Sequence, residues 1–380
     1  MTIVSGWLAL LLFILSFYAA ARLPLFNRVA SGLKKQLKWH HGVALLSLAA
    51  MFWHLGTILL AYIGQMNQLF DPWEFSLSTG WLALAGITLT VILAFLRPKL
   101  DYRPWRRLHL ITPFCLLLAL LHCYLLMEPT TTSEWLQYTG TASFALVALL
   151  LTVVLPNTRF WGRAYAIYQK SEPRPGLFLL QLKPQRPQKE LRFEAGHFIF
   201  LRFNTPGFSS LWHPFTIVSG PPYGDIQLFV KARGRDTNLL KDASLPSDVS
   251  VLGPFGEVFW QDSASQLWIA YGVGAAIFLA AIRSFPAKDR IHFICCDISL
   301  EQIFFSNELD LYQARYPSFS WEAFIGSGQD FVTKFPSQNL KLHEFSNFRI
   351  CGHPGFQKSV KSKIMAQGIA PQRIRLEGLL

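Results

Sequence analysis

Residues 40–54 read HHGVALLSLAAMFWH, and residues 109–122 read HLITPFCLLLALLH. Each stretch is apolar between histidines at its two ends. A helix rises about 1.5 Å per residue, so His40 to His54 and His109 to His122 each cover roughly 20 Å of helix axis. Both stretches lie in segments long enough to cross a bilayer. The spacing of 14 is close to four turns and puts His40 and His54 on one face. The spacing of 13 is less well aligned, and Pro113 between His109 and His122 supplies a kink that corrects the rotation. A single histidine in an apolar helix reads most simply as a satisfied buried group. Four at matched spacing on two helices offer two pairs at two depths, His40 with His109 and His54 with His122. Neutral imidazole is an axial ligand of haem iron, and ionisable groups inside spans mark function. The expected cofactors here are two stacked b-type haems, a path for electrons across a membrane. His41, 13 residues before His54, is the rival of His40.

Outward from these stretches, five spans are expected at about 5–21, 42–62, 80–97, 107–127 and 137–155. The first lacks a basic leading region and a small-residue cleavage site, so it reads as a span and not a signal peptide. Arg22, Arg28, Lys34, Lys35 and Lys38 fall between spans one and two, and Arg97, Lys99, Arg103, Arg106 and Arg107 between spans three and four. The other two connections carry Asp71 and Glu74, then Glu128 and Glu134, with Trp73 and Trp135 and no basic residue. The positive-inside bias places the basic loops and everything after residue 156 in the cytoplasm of an integral membrane protein, with the N-terminus outside. That topology accounts for much of the formal net charge of +12. No basic stretch interleaved with aromatics reads as a nucleic-acid site. Hydrophobic residues make up 51% of the 380 and charged residues 15%, and the mean hydropathy is +0.28. The apolar excess lies before residue 156, which fits a membrane domain followed by a soluble part. Cys115, Cys123, Cys295, Cys296 and Cys351 form no CxxC pair and no zinc-spaced cluster, so neither a disulfide framework nor a zinc site is expected.

Past residue 160 short apolar runs appear at Leu177–Leu182, His197–Phe203 and Ile226–Val230, separated by Gly and Pro, the pattern of a small antiparallel β-barrel. Within it stands His213-Pro214-Phe215-Thr216-Ile217-Val218-Ser219, followed by Lys231-Ala232-Arg233-Gly234 with Thr237, and by Gly253-Pro254-Phe255-Gly256. From residue 262 the pattern becomes α/β. Gln266–Tyr271 reads as a buried strand, and Gly272-Val273-Gly274 opens a helix running to about Phe285. A strand, a glycine turn and a helix N-terminus together seat a pyrophosphate on free backbone N–H groups. Ile291–Cys296 and Phe348–Cys351 are further strands, the second followed by Gly352-His353-Pro354-Gly355-Phe356.

The HPFTIVS run, behind histidine pairs at spacings of 14 and 13, resembles the flavin-binding signature of the ferric reductase and NADPH oxidase superfamily, and the likeness covers nearly the whole chain. It implies three domains: a transmembrane five-helix di-haem bundle at 1–156, an FAD-binding antiparallel β-barrel at 157–261, and a Rossmann-like NAD(P)-binding α/β domain at 262–380. It also implies that Phe215 packs beside the flavin, that Thr216 lies near its reactive nitrogen, and that His213 approaches its phosphates. Pro214, Ser219, Lys231 and Thr237 match positions around FAD. The Gly253–Gly256 turn, read as backbone that comes close to a phosphate, joins the FAD site. Gly272 and Gly274 would hold NADPH or NADH, with Cys351 and Gly352 near the nicotinamide.

The nucleotide domain departs from the family pattern. Tyr271 replaces the first glycine of the usual Gly-Gly-x-Gly turn, Ala276-Ile277 replaces the Thr-Pro that commonly follows, and His353 stands where a proline follows Cys-Gly. At the C-terminus Glu377-Gly378 is followed by Leu379 and Leu380, without the aromatic residue that covers the flavin face. After Ile291–Cys296 come Asp297 and Glu301, with no arginine to grip a 2′-phosphate, which makes NADH a credible donor. The expected function is a membrane flavocytochrome that moves electrons from cytosolic NAD(P)H through FAD and both haems to an acceptor on the outer face of a bacterial inner (plasma) membrane. Ferric chelate is the expected acceptor, with superoxide production from dioxygen as the alternative. A haem relay fed by quinol or a partner protein, with a non-catalytic nucleotide domain, is the second alternative. A transport or sensory protein carrying a flavin domain leaves the four histidines unexplained. No protein partner is legible, and no calcium-binding EF-hand loop or long Pro-rich tail is present.

Overall fold

The computed structural model describes residues 2–21, 33–64, 69, 74–97, 100, 102–127, 131–154, 162–187, 190–220, 225–241, 248–256, 265–284, 290–336 and 340–378. Arg22, Arg28, Asp71, Trp73, Lys99, Glu128, Phe285, Leu379 and Leu380, and the expected domain boundaries near 156 and 261, lie outside the described residues. The chain divides into two compact units, Met1–Thr158 and Arg159–Leu380.

In the first unit the helices are α1 (Thr2–Ala20), α2 (Leu33–Ala61), α3 (Phe75–Phe95), α4 (Tyr102–His109), α5 (Thr112–Met127) and α6 (Thr132–Leu149), the last running into a π turn at Leu150–Val154. Among the described residues, five segments are long and apolar enough to cross a membrane: Ile3–Ala20, Lys35–Ala61, Phe75–Phe95, Pro104–Leu126 and Thr132–Thr152. Their positions match the five expected spans, but three begin several residues earlier than polarity alone indicates, because helix continues through Lys35, Lys38, Ser76 and Thr132. The fourth span is not one continuous helix. It breaks at Leu110–Ile111, directly after His109, and Pro113 sits in the first turn of α5. Proline is tolerated there because the first-turn N–H groups have no intrahelical acceptor.

The inner faces of this bundle bury Phe13, Ile14, Ile87, Leu116 and Ala145 together. Gly86 lets α3 and α5 approach closely, since a Cβ there would collide with Cys115 Sγ. Large apolar residues such as Leu46, Phe52, Leu82, Leu117 and Leu146 point outward, as a lipid-facing surface requires.

In the second unit, strands β1 (Arg163–Arg174), β2 (Leu177–Pro184), β3 (Phe198–Phe203), β4 (His213–Thr216), β5 (Ile226–Lys231) and β6 (Val249–Phe255) form an antiparallel sheet in the order β4-β3-β6-β1-β2-β5. An antiparallel bridge from Ile217 to Leu228 and a hydrogen bond from Val218 N to Gln227 O (2.9 Å) join the ends and close the barrel. The short helix α7 (Arg235–Leu239) follows β5. All six residues of β3 are buried, so it is apolar on both faces. Ile199, Leu201 and Phe203 fill the barrel, and Phe198 and Phe200 pack on Phe255.

A parallel five-stranded sheet follows, built from β7 (Gln266–Tyr271), β8 (Ile291–Asp297), β9 (Phe319–Ile325), β10 (Asn347–Cys351) and β11 (Ile374–Glu377) in the order β11-β10-β7-β8-β9. The helices α8 (Ala276–Ser284), α9 (Ser306–Arg315), α10 (Gly328–Lys334) and α11 (Pro354–Ala366) connect it. Strands run β7 to β8 to β9 in one direction, and β10 then returns to the other side of β7. Ligand crevices in such sheets open at the carboxyl ends of the strands where the order reverses, here between β7 and β10. Barrel and sheet share one apolar core, in which Leu177, Val218 and Phe229 pack with Ala270, Phe278 and Phe293.

Candidate functional site

The structure brings His40 and His109 together. Their ring centres are 6.4 Å apart with planes at 90°. Both line a pocket walled by Phe13, Ile87 and Val91 and also bordered by His41. His40 Nδ1 donates to the Ser16 carbonyl (2.8 Å). A carbonyl can only accept, so the proton is on Nδ1 and the Nε2 lone pair is free for a metal. His41 is exposed, its ring 5.6 Å from that of His40. His109 stacks on Trp105 at 5.1 Å, and its buried Nδ1 has no hydrogen-bond partner among the described residues.

The other two histidines are held in the same way by different groups. His122 Nδ1 donates to the Ser76 carbonyl (2.7 Å), and Gly80 makes room for its ring, since a Cβ there would lie 2.7 Å from His122 Cε1. His54 rests against Gly6, where a Cβ would lie 3.0 Å from its Cε1. Its partner is a side chain, the fully buried Ser5 hydroxyl, 3.1 Å from Nδ1. Thr57 gives its one hydroxyl hydrogen to the His54 carbonyl (2.7 Å). A further contact joins the Ser5 and Thr57 hydroxyls (3.3 Å). Two of the four candidate ligands, His40 and His122, thus have the protonation state and fixed ring that axial ligation needs, so these residues fit haem. Ser5, Ser16, Thr57 and Ser76 escaped the sequence reading, because two act through backbone carbonyls that carry no side-chain signal. Gly6 and Gly80 were visible as glycines in apolar helices.

In the barrel, β4 pairs with β3 so that His213, Pro214, Phe215 and Thr216 face Leu201, Phe200, Ile199 and Phe198. Phe215 is half-buried on the barrel core, and its ring centre is 6.4 Å from that of His213. His213 Nε2 donates to Asp236 Oδ2 (2.8 Å), and Asp236 also accepts from Ser209 through its amide (3.0 Å) and its hydroxyl. The sequence reading missed Asp236, although it adjoins the candidate Thr237. The Thr237 hydroxyl accepts from Arg233 N (3.0 Å) and Gly234 N (2.9 Å), closing the loop that carries Asp236. Ser219 Oγ accepts from Gln227 N (3.2 Å), and Lys231 is exposed at the end of β5.

Burial works against the charge of Asp236, but the hydrogen bonds from Ser209 and His213 hold its carboxyl below the usual 3.8. A carboxyl lowered on folding contributes stability that is present above its unfolded pKa and lost as pH falls through the folded one. Asp236→Asn is expected to melt earlier than wild type at pH 7, and the gap is expected to close below about pH 4. Thermal unfolding of both proteins across that range measures it.

Gly253 and Gly256 do not form the expected turn. Gly253 lies inside β6, at a register shift against β3, and Gly256 directly follows the strand. Their left-handed φ values of 149° and 102°, and the nearness of Ile199 to one and of the Gly196 carbonyl to the other, explain both glycines from barrel packing.

In the nucleotide domain the structure brings the two glycine motifs together. A Cβ on Gly274 would lie 2.9 Å from Cys351 C, Cys351 O and Gly352 N, all backbone. Gly272 has φ of 59°, which favours glycine. The turn is 3₁₀ over Gly272–Ala275 before α8 begins, a tighter start than a uniform helix. A Cβ on Gly352 would lie 2.9 Å from Phe356. Burial pushes the Cys351 thiol up to about 12, so it is a neutral thiol at pH 7. His353 caps α11 by accepting from Phe356 N at Nδ1 (3.2 Å), a service the family's proline has no side-chain acceptor to give. Asp297 is not open to a ribose. It is buried against Arg174 of β1 (3.3 Å), and its other oxygen accepts from Ile298 N (2.9 Å).

Comparison with known proteins adds to this geometry. Residues 5–121 match the family model described as ferric reductase like transmembrane component, and residues 177–271 match the FAD-binding domain model. A component of the Na(+)-translocating NADH-quinone reductase of Pseudomonas aeruginosa is 27% identical over 179 residues, 42% of this chain and 43% of the relative. Its Neisseria meningitidis counterpart is 26% identical over 151 residues, 35% of this chain and 37% of the relative. The chain thus spans less than half the length of these curated relatives. Among solved structures, the flavohem-like FAD/NAD-binding domain of nitric oxide dioxygenase from Vibrio cholerae is similar at TM-score 0.50, with 18% identity, over 57% of this chain and 98% of that one. A flavohemoglobin from Malassezia yamatoensis is similar at TM-score 0.51, with 15% identity, over 85% and 92%. At these identities the likeness concerns fold alone. One polypeptide thus joins a membrane domain similar to the ferric reductase like transmembrane component to an FAD-binding domain and a parallel α/β sheet.

Proposed function

We propose that this protein carries electrons from NAD(P)H across a bacterial inner membrane to ferric chelate on the outer face. The carrying observation is the His40–His109 pair, 6.4 Å apart, with the Nε2 of His40 freed by the Ser16 carbonyl. His40 and His109 would hold an inner haem, and His54 and His122 an outer one. The fixed Nδ1 bond of His40 favours it over the exposed His41 as the ligand. Bound FAD supplies the step from two-electron hydride to single electrons, and bound haems pass those on one at a time.

The chain's own contribution is placement. Phe215 and Thr216 would wall and hydrogen-bond the flavin ring, His213 would face its phosphates with its ring held by Asp236, and the joined turns at Gly272–Gly274 and Cys351–Gly352 would seat the dinucleotide. The neutral Cys351 thiol contributes bulk and polarity there, not a nucleophile. One NAD(P)H gives two electrons and a proton, reducing two ferric ions and leaving NAD(P)+. Two features favour NADH as donor. Residues 297–302 include no basic side chain, with Ile298 and Leu300 exposed there, and the curated relatives are named as NADH enzymes. The basic residues at Lys35, Lys38, Arg106 and Arg107 support a cytoplasmic reductase and an outer N-terminus.

The test is an anaerobic absorbance spectrum of purified, FAD-loaded protein before and after NADH. Two haems per chain, both reduced within the mixing time and reoxidised by ferric citrate, is the expected result. Faster reoxidation by dioxygen would move the acceptor to dioxygen. Haem reduced by dithionite but not by NADH or NADPH would replace this reading with a partner-fed relay.

A further inference from the structure

We propose that Arg283 is a positioning residue that sets the dinucleotide turn against the flavin motif. Helix α8 connects the two. Its N-terminal end follows the Gly272–Gly274 turn, and its residues Ala276–Ile282 are all buried. Arg283, in its last turn, reaches out of the nucleotide domain into the barrel. Nη1 donates to the carbonyl of Val218 (3.0 Å), within the HPFTIVS run, and to Gln227 Oε1 (3.3 Å). Nε and Nη2 grip both carboxylate oxygens of Glu308 on α9, at 2.7 and 2.8 Å. The guanidinium fork thus joins three elements at once, which a lysine point charge does not reproduce.

The peptide it holds is pinned from both sides. Val218 N donates to Gln227 O, closing the barrel, while Val218 O accepts from Arg283. Two residues upstream is Thr216, the candidate for the reactive end of the flavin. Gly220, one residue past the motif, lies against the same helix end, where a Cβ would sit 3.0 Å from Arg283 O. A side chain at 220 would lift α8 from the barrel. A helix is stiff over nine residues, so a shift at its Arg283 end moves the glycine turn at the other. The inference rests on the proposed roles of the two motifs, but its test separates from theirs. Hydride transfer is sensitive to displacements of about 1 Å, which cost about 10²-fold, whereas binding within either domain is not.

The experiment uses full-length, FAD-loaded protein with NADH in anaerobic stopped flow, following loss of flavin absorbance. Arg283→Ala is expected to keep wild-type FAD content and NADH dissociation constant while the limiting rate of flavin reduction falls about 10- to 100-fold. Arg283→Lys is expected to recover part of the rate. Gly220→Ala, which leaves every charge in place, is expected to slow the same step. A wild-type rate in Arg283→Ala overturns the proposal. So does a loss of FAD, NADH affinity and melting temperature together that Arg283→Lys does not relieve, since that is the mark of a merely structural contact. If Arg283→Ala fails to fold, a wild-type limiting rate in folded Gly220→Ala overturns it instead. Wild-type protein whose flavin NADH never reduces overturns the motif assignments themselves, and the proposal with them.

Discussion

Replacing His109 with alanine is expected to lower haem content from about two per chain to about one and to stop electron export, while NADH still reduces the flavin. Only one imidazole, His40, would remain where two rings now stand 6.4 Å apart. The exposed His41, bordering the same pocket, has no comparable tie to a carbonyl among the described residues. His41→Ala is accordingly expected to keep both haems and full export. Pyridine haemochrome assay gives haem per chain, and ferricyanide reduction by NADH reports the flavin independently of haem. Loss of one haem in His41→Ala as well as in His109→Ala would put His41 in the place of His40. Full haem and export in both variants would remove the histidine pair from the mechanism altogether.

The second large effect is expected at Gly274. The three atoms nearest to an added methyl group all belong to the backbone of Cys351 or Gly352, at 2.9 Å, and none of them can rotate aside. Overpacking of this kind costs about 1–3 kcal/mol, relieved by parting the ends of β7 and β10. That is the crevice where the dinucleotide is proposed to bind. Gly274→Ala is expected to lose NADH-driven flavin reduction by about 10²-fold. Its FAD content should stay at the wild-type level, because the barrel is untouched. Gly272→Ala is the instructive control. Nothing lies within 4 Å of a Cβ there, so its cost is the left-handed φ alone, about 1–2 kcal/mol. Steady-state turnover with NADH at saturating FAD measures both. Equal, mild effects would mean that the close approach of the two motifs has no part in binding.

The features legible in the sequence are those carried by local chemistry. Spans of 18 or more apolar residues, the basic loops between them, and the change to short alternating runs after residue 160 state a membrane bundle followed by a reductase-type module. HPFTIVS and the glycine turns indicate the family. What escaped reading depends on groups far apart in the chain. The acceptors for His40 and His122 are backbone carbonyls, and any residue has one. Asp236 and Arg283 look like ordinary surface charges until folding places Ser209 and His213 beside one and Val218 and Glu308 beside the other. Gly253 and Gly256 read as a turn, and folding puts one inside β6 at a register shift and the other directly after the strand. The partner of Asp297, Arg174, lies more than 120 residues away in the chain.

Which segments are long and apolar enough to cross a membrane, where the first strand of the parallel sheet lies, and which superfamily the chain resembles all follow from the order of residues alone. Periodicity, hydropathy and contiguous motifs are properties of neighbours in the chain, and burial of apolar surface acts on them directly. It took the folded molecule to settle which imidazole nitrogen carries the proton, which histidine of the adjacent pair has its ring fixed, and which glycines make room for a ring or a second backbone. Those outcomes depend on hydrogen bonds and contacts a few ångströms long between residues tens to hundreds of positions apart, and no one-dimensional pattern encodes them.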